Sequence, residues 1–359
     1  MALRPDAPVH NPTAEPAVWF PTIVTGTGTQ RFTERLAASL ARHGIRTGIT
    51  WLPLRTEFAP WSVSKPVPPD WANVIHVNST FPPSLLPPDL PWVATIHSGM
   101  HDPGLLPFKT LAQRAYHALI LKPRERSLLH RARRITAVSD YAGQMASQVF
   151  AIPKVATVFN GVDTTVFTPR REDRAPGPLR LLYVGRWSRR KGTDLIKPLL
   201  QRLVGRVEFL FTATADEVGM LGSLPGVSRC VGRLEDDVAL AALYRSADVL
   251  LFPSRSEGFG LVAAEAMACG LPVICVDDTA LKEIVPQGEC GFRCAAGDLD
   301  EFAKACLALA AEPQLLERMS HAAREHAENR LGMPAMVETY LNVYREALRD
   351  EHARRRAQS

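Results

Sequence analysis

The sequence lacks the features that mark several common classes of protein. No apolar run approaches the length of about 20 residues that a membrane-spanning helix requires, which argues against an integral membrane protein. The first 18 residues contain no apolar segment of the signal-peptide type, so we expect no secretory leader. Aromatic residues are few, at 7%, and are not interleaved with the basic residues, which disfavours a nucleic-acid-binding surface.

Cysteine is scarce and confined to the second half of the chain. The six cysteines are Cys230, Cys269, Cys275, Cys290, Cys294 and Cys306. Their spacing matches no zinc-binding pattern, because the one close pair, Cys290 and Cys294, has no second pair to complete it. We therefore expect buried, reduced thiols in a cytoplasmic protein.

The chain does have length and an uneven distribution of charge. With 359 residues, 46% hydrophobic and 22% charged, it is typical of a soluble protein with two domains. Residues 1–170 contain 17 Lys and Arg against 10 Asp and Glu, a net charge of +7, whereas residues 171–359 contain 25 against 27, a net charge of −2. The first half is therefore the one suited to an anionic partner or surface.

Apolar, strand-like runs alternate with amphipathic helical segments along the chain. The alternation begins with VWFPTIVT (18–25) after a loose lead-in (1–17), pauses at a polar link (160–178), and restarts with LRLLYVG (179–185). Further strands are predicted at IRTGITW, VIHVN, WVATI, RITAVS, VATVFN, VEFLFTA, VSRCVG, VLLF and VICV. This pattern predicts two successive doubly wound α/β domains with a cleft between them, and ligands at the carboxyl ends of the strands.

The stretch from 247 to 274 carries the clearest site signal. It predicts a strand, a polar turn that holds Glu257, a helix that holds Glu265, and a second parallel strand. Gly258 and Gly260 bracket the start of the helix, so its backbone N–H groups can approach an anion closely. Two carboxylates around an anion-binding helix end suit a phosphorylated sugar, although an ordinary βαβ unit with solvated glutamates is the alternative.

Three further candidates follow predicted strands. The loop VGRWSRRKG (184–192) carries Arg186 and Lys191, two cations that could neutralise a diphosphate, whereas its arginines at 189 and 190 are expected to be solvated. His97 directly follows WVATI and would face the cleft. Gly28, in the first loop TGTGTQ, would allow close backbone approach to a ligand.

These motifs together resemble the retaining GT-B glycosyltransferases of family 4. The resemblance is carried by GRLEDDVALAALYRSADVLLFPSRSEGFGLVAAEAMACGLPVI, VGRWSRRKG, TIHSGM, AVSDY, FNGVD and TGTGTQRFTERLAASLARHG, in the family's order over about residues 20–310. It implies two Rossmann-like domains facing a central cleft, with a C-terminal helix that crosses back to the N-terminal domain. The implied division is 1–168 for the acceptor side, 169–335 for the donor side and 336–359 for the returning helix.

The resemblance also assigns roles to individual residues. Glu257 matches the contact to the donor sugar, Glu265 the contact to the ribose, and His97 the histidine near the reaction centre. The remaining matches are Arg186 and Lys191 for the diphosphate, Phe259 and Gly260 for the amides beside it, Arg233 and Leu234 for the base, and Gly28 for the second glycine of the first loop. Thr27 replaces the usual first glycine, and His101 follows closely enough to compete with His97 for the histidine role.

The implied activity is transfer of a hexose-type sugar from a nucleotide-diphosphate sugar, UDP- or GDP-linked, with retention and with neither metal nor cofactor. The acceptor would belong to cell-envelope polysaccharide or glycolipid synthesis, on the cytoplasmic face of the inner membrane. The alternatives are a sugar-nucleotide epimerase of the same GT-B layout and a non-catalytic protein that binds anions or membranes. The epimerase is disfavoured by the spacing of the two glutamates and by the Lys191 loop.

The segment 109–134 suggests a membrane surface because it contains eight basic residues and one acid. A helix is predicted over 108–132, with a break at Pro123 and with Phe108, Leu111, Ala112, Ala115 and Leu119 on one face. Either this apolar face packs on the domain core and the cations are solvated, or the surface rests on an anionic bilayer.

Overall fold

The described part of the chain forms two α/β domains, each built around one parallel sheet. The computed structural model describes residues 15–153, 155–170, 177–234 and 236–358, so parts of the predicted lead-in and of the predicted link at 160–178 lie outside the described residues. Each sheet has six strands within these ranges.

The first sheet has the order β2-β1-β3-β4-β5-β6, with every neighbouring pair parallel. Its strands are β1 (Val18–Ile23), β2 (Thr47–Leu52), β3 (Val74–Asn78), β4 (Trp92–Ile96), β5 (Arg134–Ala137) and β6 (Ala156–Thr157). Its helices are α1 (Gly28–Arg42), α2 (Arg55–Phe58), α3 (Leu111–Tyr116), α4 (Lys122–Arg131) and α5 (Asp140–Phe150).

The second sheet has the order β12-β11-β10-β7-β8-β9 and is also parallel throughout. Its strands are β7 (Leu179–Tyr183), β8 (Val207–Phe211), β9 (Val227–Cys230), β10 (Val249–Phe252), β11 (Val273–Val276) and β12 (Gly291–Cys294). The helices are α6 (Ile196–Arg202), α7 (Ala215–Leu221), α8 (Asp237–Arg245), α9 (Leu261–Ala268), α10 (Leu281–Ile284), α11 (Leu299–Ala311) and α12 (Pro313–Arg330).

A long final helix, α13 (Met333–Gln358), returns to the first domain. It packs Val337, Tyr340 and Tyr344 into one buried cluster with α1 and β1. The Tyr344 hydroxyl lies 2.7 Å from Nδ1 of His76 on β3, which ties the helix to the sheet. The expected fold class, two doubly wound domains with a helix that crosses back, is confirmed.

The predicted strands are confirmed. Central strands such as β4 and β10 are short apolar runs buried on both faces, which fits a parallel sheet covered by helices, whereas the edge strand β9 is partly exposed. Two helix predictions were wrong in detail. Helix α1 begins at Gly28 rather than at Arg31. The extended Thr27 occupies its N-cap position without a side-chain capping hydrogen bond, and the polar first turn shows no apolar period from which the start could be predicted. The break predicted at Pro123 is absent: α3 continues through a π-helical segment (His117–Leu121) into α4, and this change of helical hydrogen bonding directly precedes Pro123, which has no N–H to donate.

The six cysteines are free thiols, and five of them are buried as predicted, whereas Cys230 is only half-buried. Of the helices within the described ranges, none combines the length and the apolar character needed to cross a bilayer.

Candidate active site

The candidate site lies between the domains, at the carboxyl ends of β7 and β10. These strands are neighbours in the second sheet although three helices and two strands separate them in the chain, so their loops diverge and leave a crevice. A cavity of about 570 Å³ occupies this position. Its lining from the second domain includes Arg190, Lys191, Ser256, Glu257, Phe259 and Gly260, and from the first domain Thr27, Gly28, His97, Phe108, Lys109, Gln113 and His117.

The turn after β10 brings the predicted carboxylate to the cavity. The Glu257 side chain is 11% exposed, and the glycine that follows it packs so closely on the first domain that a Cβ would collide with the His97 backbone. Gly260 has a φ of +99° at the start of α9, a conformation that favours glycine. Among the described residues no side chain caps this helix, so its first N–H groups can bind an anion.

The loop after β7 places a cation beside that carboxylate. Lys191 Nζ forms an ion pair with Glu257, and it lies 5.6 Å from the centre of the Phe252 ring. Gly192 has a φ of +71°, and a Cβ there would collide with the Pro253 carbonyl oxygen. Only glycine allows the two loops to come this close, and the Lys191–Glu257 pair depends on that approach.

Two arginines of this loop differ in their relation to the cavity. Arg186, expected beside Lys191, is exposed and does not line the cavity. Arg190 is exposed, as expected of a solvated residue, but it also lines the cavity and donates from Nη1 to the Ser256 carbonyl at 3.1 Å. The short 3₁₀ turn Arg189–Lys191, with Ser188 at its N-cap, lies between the two positions. A run of basic residues does not signal which of them lines a cavity.

The structure also separates the two candidate histidines. His97 lines the cavity, where its ring packs 4.5 Å from that of Phe32, and burial lowers its pKa to about 3, so the imidazole is neutral. Its Nε2 is buried without a hydrogen-bond partner among the described residues. His101 instead pairs with the buried Glu125, at 2.9 Å, and does not line the cavity.

The carboxylate on α9 lies deeper and is covered. Glu265 Oε1 accepts from Arg35 Nη1 at 3.0 Å, and Oε2 accepts from the Tyr244 hydroxyl at 3.3 Å. Burial raises the pKa of Glu265, and the Arg35 cation opposes this increase. Arg35 belongs to α1 of the first domain and was not singled out in the sequence, because no motif marks an arginine on an ordinary amphipathic helix.

The two residues matched to the base lie away from the cavity in this structure. Arg233 is exposed, and Leu234 packs against the apolar cluster around α9. Gly28 and Thr27 do line the cavity from the first domain, at the start of α1.

The assembled groups suit the binding of an anion next to a neutral polar ligand. Lys191, Arg190 and the uncapped start of α9 supply positive charge, while Glu257 and His97 can hydrogen-bond hydroxyl groups. No cluster of three or more His, Cys, Asp or Glu side chains that could hold a metal ion occurs among the described residues.

Comparison with known families gives a match for each domain. Residues 22–166 match the model described as Glycosyltransferase Family 4, and residues 178–312 match the model described as Glycosyl transferases group 1. D-inositol 3-phosphate glycosyltransferase of Thermobifida fusca is 33% identical over 60% of this chain and 55% of its own. Glycogen synthase of Mycobacterium tuberculosis is 28% identical over 73% of this chain and 65% of its own. The chain thus spans between about half and two thirds of the length of these relatives.

Solved structures share the fold over nearly the whole chain. Sucrose-phosphate synthase from Thermosynechococcus elongatus superposes with a TM-score of 0.72 at 20% identity, covering 94% of this chain and 96% of its own. HepE of Anabaena, in complex with UDP and glucose, has a TM-score of 0.68 at 15% identity, covering 92% and 99%. At such identities the likeness establishes the two-domain GT-B fold.

Proposed function

The chain belongs to glycosyltransferase family 4, and we propose that it moves a hexose-type sugar from a UDP- or GDP-linked donor to an acceptor, with retention of configuration. The second domain is the donor side and the first domain the acceptor side. The observation that carries the proposal is the Lys191–Glu257 pair, which faces a cavity at the switch point of the second sheet. The neighbour that was solved with UDP and glucose supports this class of donor.

As the donor is cleaved, negative charge grows on the diphosphate, and the positive groups of the site neutralise this charge. Lys191, Arg190 and the N–H groups at the start of α9 stabilise it in a partly enclosed site, where their effect exceeds that in water. The three together provide charge neutralisation without a metal ion. The acceptor attacks from the face of the leaving group, and a diphosphate oxygen takes its proton.

Donor binding also changes the partner of Glu257. In the described structure its carboxylate is paired with Lys191. When the diphosphate takes over the lysine, the carboxylate is free to accept hydrogen bonds from the sugar hydroxyls. His97, neutral because of its burial, contributes a hydrogen bond rather than a charge near the anomeric carbon.

Incubation with UDP-, GDP- and ADP-sugars in the presence of EDTA tests this function. We expect slow release of one nucleoside diphosphate, with full activity despite the chelator, and transfer with retained configuration once an acceptor is supplied. Conversion of the donor into an epimeric sugar would instead favour the epimerase. Absence of turnover with every donor would favour a protein that only binds anions, and loss with EDTA would contradict the metal-free site.

We further propose that the acceptor lies at an anionic membrane, because four of the five residues of the predicted apolar face are exposed rather than packed on the core, with Phe108 the half-buried exception. Leu111 is 80% exposed and Leu119 is 73% exposed, which contradicts the alternative of a core-facing stripe. Trp61, 82% exposed, lies in the neighbouring segment 55–62, which Arg124 ties to α4 by donating to the Glu57 carbonyl at 2.6 Å. Exposed apolar side chains next to basic ones are typical of surfaces that rest on anionic lipid.

Sedimentation with vesicles of anionic and of neutral lipids tests the membrane proposal. We expect binding to anionic vesicles that weakens as salt rises, and loss of binding in a Trp61→Ser/Leu111→Ser/Leu119→Ser variant that still hydrolyses donor. The matched charge variants are Lys122→Glu/Arg126→Glu on this surface and Arg206→Glu/Lys304→Glu on the second domain. If neither surface variant differs from the second-domain control, the acceptor is soluble.

A further inference from the structure

One contact crosses the cleft and covers the residue matched to the donor ribose. Arg35, on α1 of the first domain, donates from Nη1 to Glu265 at 3.0 Å and from Nη2 to both carboxylate oxygens of Asp237 at 2.9 and 3.0 Å. Both carboxylates belong to the second domain, on α9 and at the start of α8. The guanidinium therefore links three helices from two domains.

The contact leaves no room for a ligand on Glu265. With Arg35 in place the Glu265 side chain is 5% exposed, and its second oxygen is held by Tyr244. The large cavity reflects this arrangement, since its lining includes Glu257 and Lys191 but neither Glu265 nor Arg233. A nucleotide can reach the carboxylate only after the arginine has moved.

The burial of both side chains favours replacement of Arg35 by a ligand on Glu265 over a permanent Arg35–Glu265 contact. The Arg35 side chain is 16% exposed, so the arginine and Glu265 have both lost most of their water, and each needs a partner. When ribose hydroxyls bind Glu265, Arg35 keeps its two hydrogen bonds to Asp237, whose side chain is 39% exposed and accessible to water. Displacement thus leaves neither charge buried and unpaired.

We propose that Arg35 is a clasp that the donor displaces: it closes the nucleotide end of the cleft, and the ribose replaces it on Glu265. The inference rests on the proposed function, because it takes Glu265 as the ribose contact. A site that is closed for most of the time binds its ligand more weakly, in proportion to the fraction of open protein. Loosening the clasp should therefore tighten nucleotide binding.

Calorimetric titration with UDP and GDP tests the clasp in three variants. We expect Arg35→Gln to lower the dissociation constant about tenfold, a typical size for coupling between a contact and a binding site. Asp237→Asn, which weakens the anchor without touching Glu265, should lower it by a smaller factor. Arg42→Gln is the matched control, because this arginine lies on the same helix and is 61% exposed. Unchanged or weaker binding by Arg35→Gln overturns the clasp.

Hydrogen exchange of the ligand-free protein separates this proposal from the proposed function. We expect faster amide exchange in residues 261–268 of Arg35→Gln than in the wild type or in Arg42→Gln. Faster exchange without nucleotide binding by any of these proteins would retain the closing contact but refute both donor use and displacement by a donor. Equal exchange in all three, with nucleotide bound normally, would refute the clasp and leave the transferase intact.

Discussion

The two ends of the cleft differ in how they are built. At the sugar end, Lys191 and Glu257 come from loops of one sheet, and a glycine at 192 brings these loops together in front of an open cavity. At the nucleotide end, Glu265 is closed off by Arg35, which comes from the other domain. Charged pairs occupy both ends, but of these two pairs only the one at the nucleotide end joins the two domains. We infer that the Lys191–Glu257 pair is formed within one domain, whereas the Glu265–Arg35 pair depends on the relative position of the two domains.

The largest effect is expected at the sugar end, for Lys191→Ala. The lysine interacts most strongly with the negative charge that grows on the diphosphate in the transition state, so kcat should fall about 100- to 1000-fold. KM should rise by a smaller factor, because the contact to the bound diphosphate is also lost. Steady-state donor hydrolysis measures this effect, with Arg189→Ala as the control from the same 3₁₀ turn. A raised KM with normal kcat would show that the lysine only binds the ground state.

His97→Ala should also reduce transfer strongly, by about 100-fold, because a hydrogen bond near the reacting carbon is lost. His101→Gln should keep transfer but reduce the free energy of unfolding by about 1–3 kcal/mol, since it removes one of the partners of buried Glu125, whose other oxygen accepts from Ser79. Activity and denaturant unfolding of both variants check this pair. If His101→Gln is the inactive variant, the choice of histidine is wrong.

At the nucleotide end, Glu265→Ala should weaken nucleotide binding about 10- to 150-fold. A hydrogen bond to a charged group contributes roughly 1.5–3 kcal/mol, which corresponds to this range. The direction is opposite to that expected for Arg35→Gln, so the two variants together sharpen the contrast between the ends. Calorimetry measures the affinity, and a folded variant that binds as the wild type would remove Glu265 from the site.

The smallest effect concerns acid stability. Burial lowers the pKa of His76 and of His97 to about 3, below the value of about 6.5 in an unfolded chain. Between these values the unfolded state binds more protons, so stability falls as pH falls, by up to about 1.4 kcal/mol per pH unit for each histidine. Urea unfolding at pH 7 and 5.5 should show a shallower decline for His97→Gln than for His130→Gln, an exposed control. Equal slopes would mean that His97 titrates normally.

The two ends of the cleft also differ in how far the sequence predicts them. The strands, and the loops that carry Glu257 and Lys191, are specified by apolar runs and glycines close together in the chain. Arg190 and Arg186 could not be told apart, because the direction of a basic side chain depends on a turn three residues long. Arg35 could not be found at all, since its partners lie more than 200 residues away, and only the packing of the domains brings them together.

The most direct test of the two-ended site compares a nucleoside diphosphate with its nucleoside, using the nucleotide whose sugar supports turnover. Calorimetric titrations of both ligands are required for the wild type, Lys191→Ala and Glu265→Ala. We predict that Lys191→Ala weakens binding of the diphosphate only, because the nucleoside has no negatively charged phosphate that could interact with Lys191. Glu265→Ala should weaken binding of both ligands by the same factor. Wild-type affinity for both ligands in both variants would contradict the site.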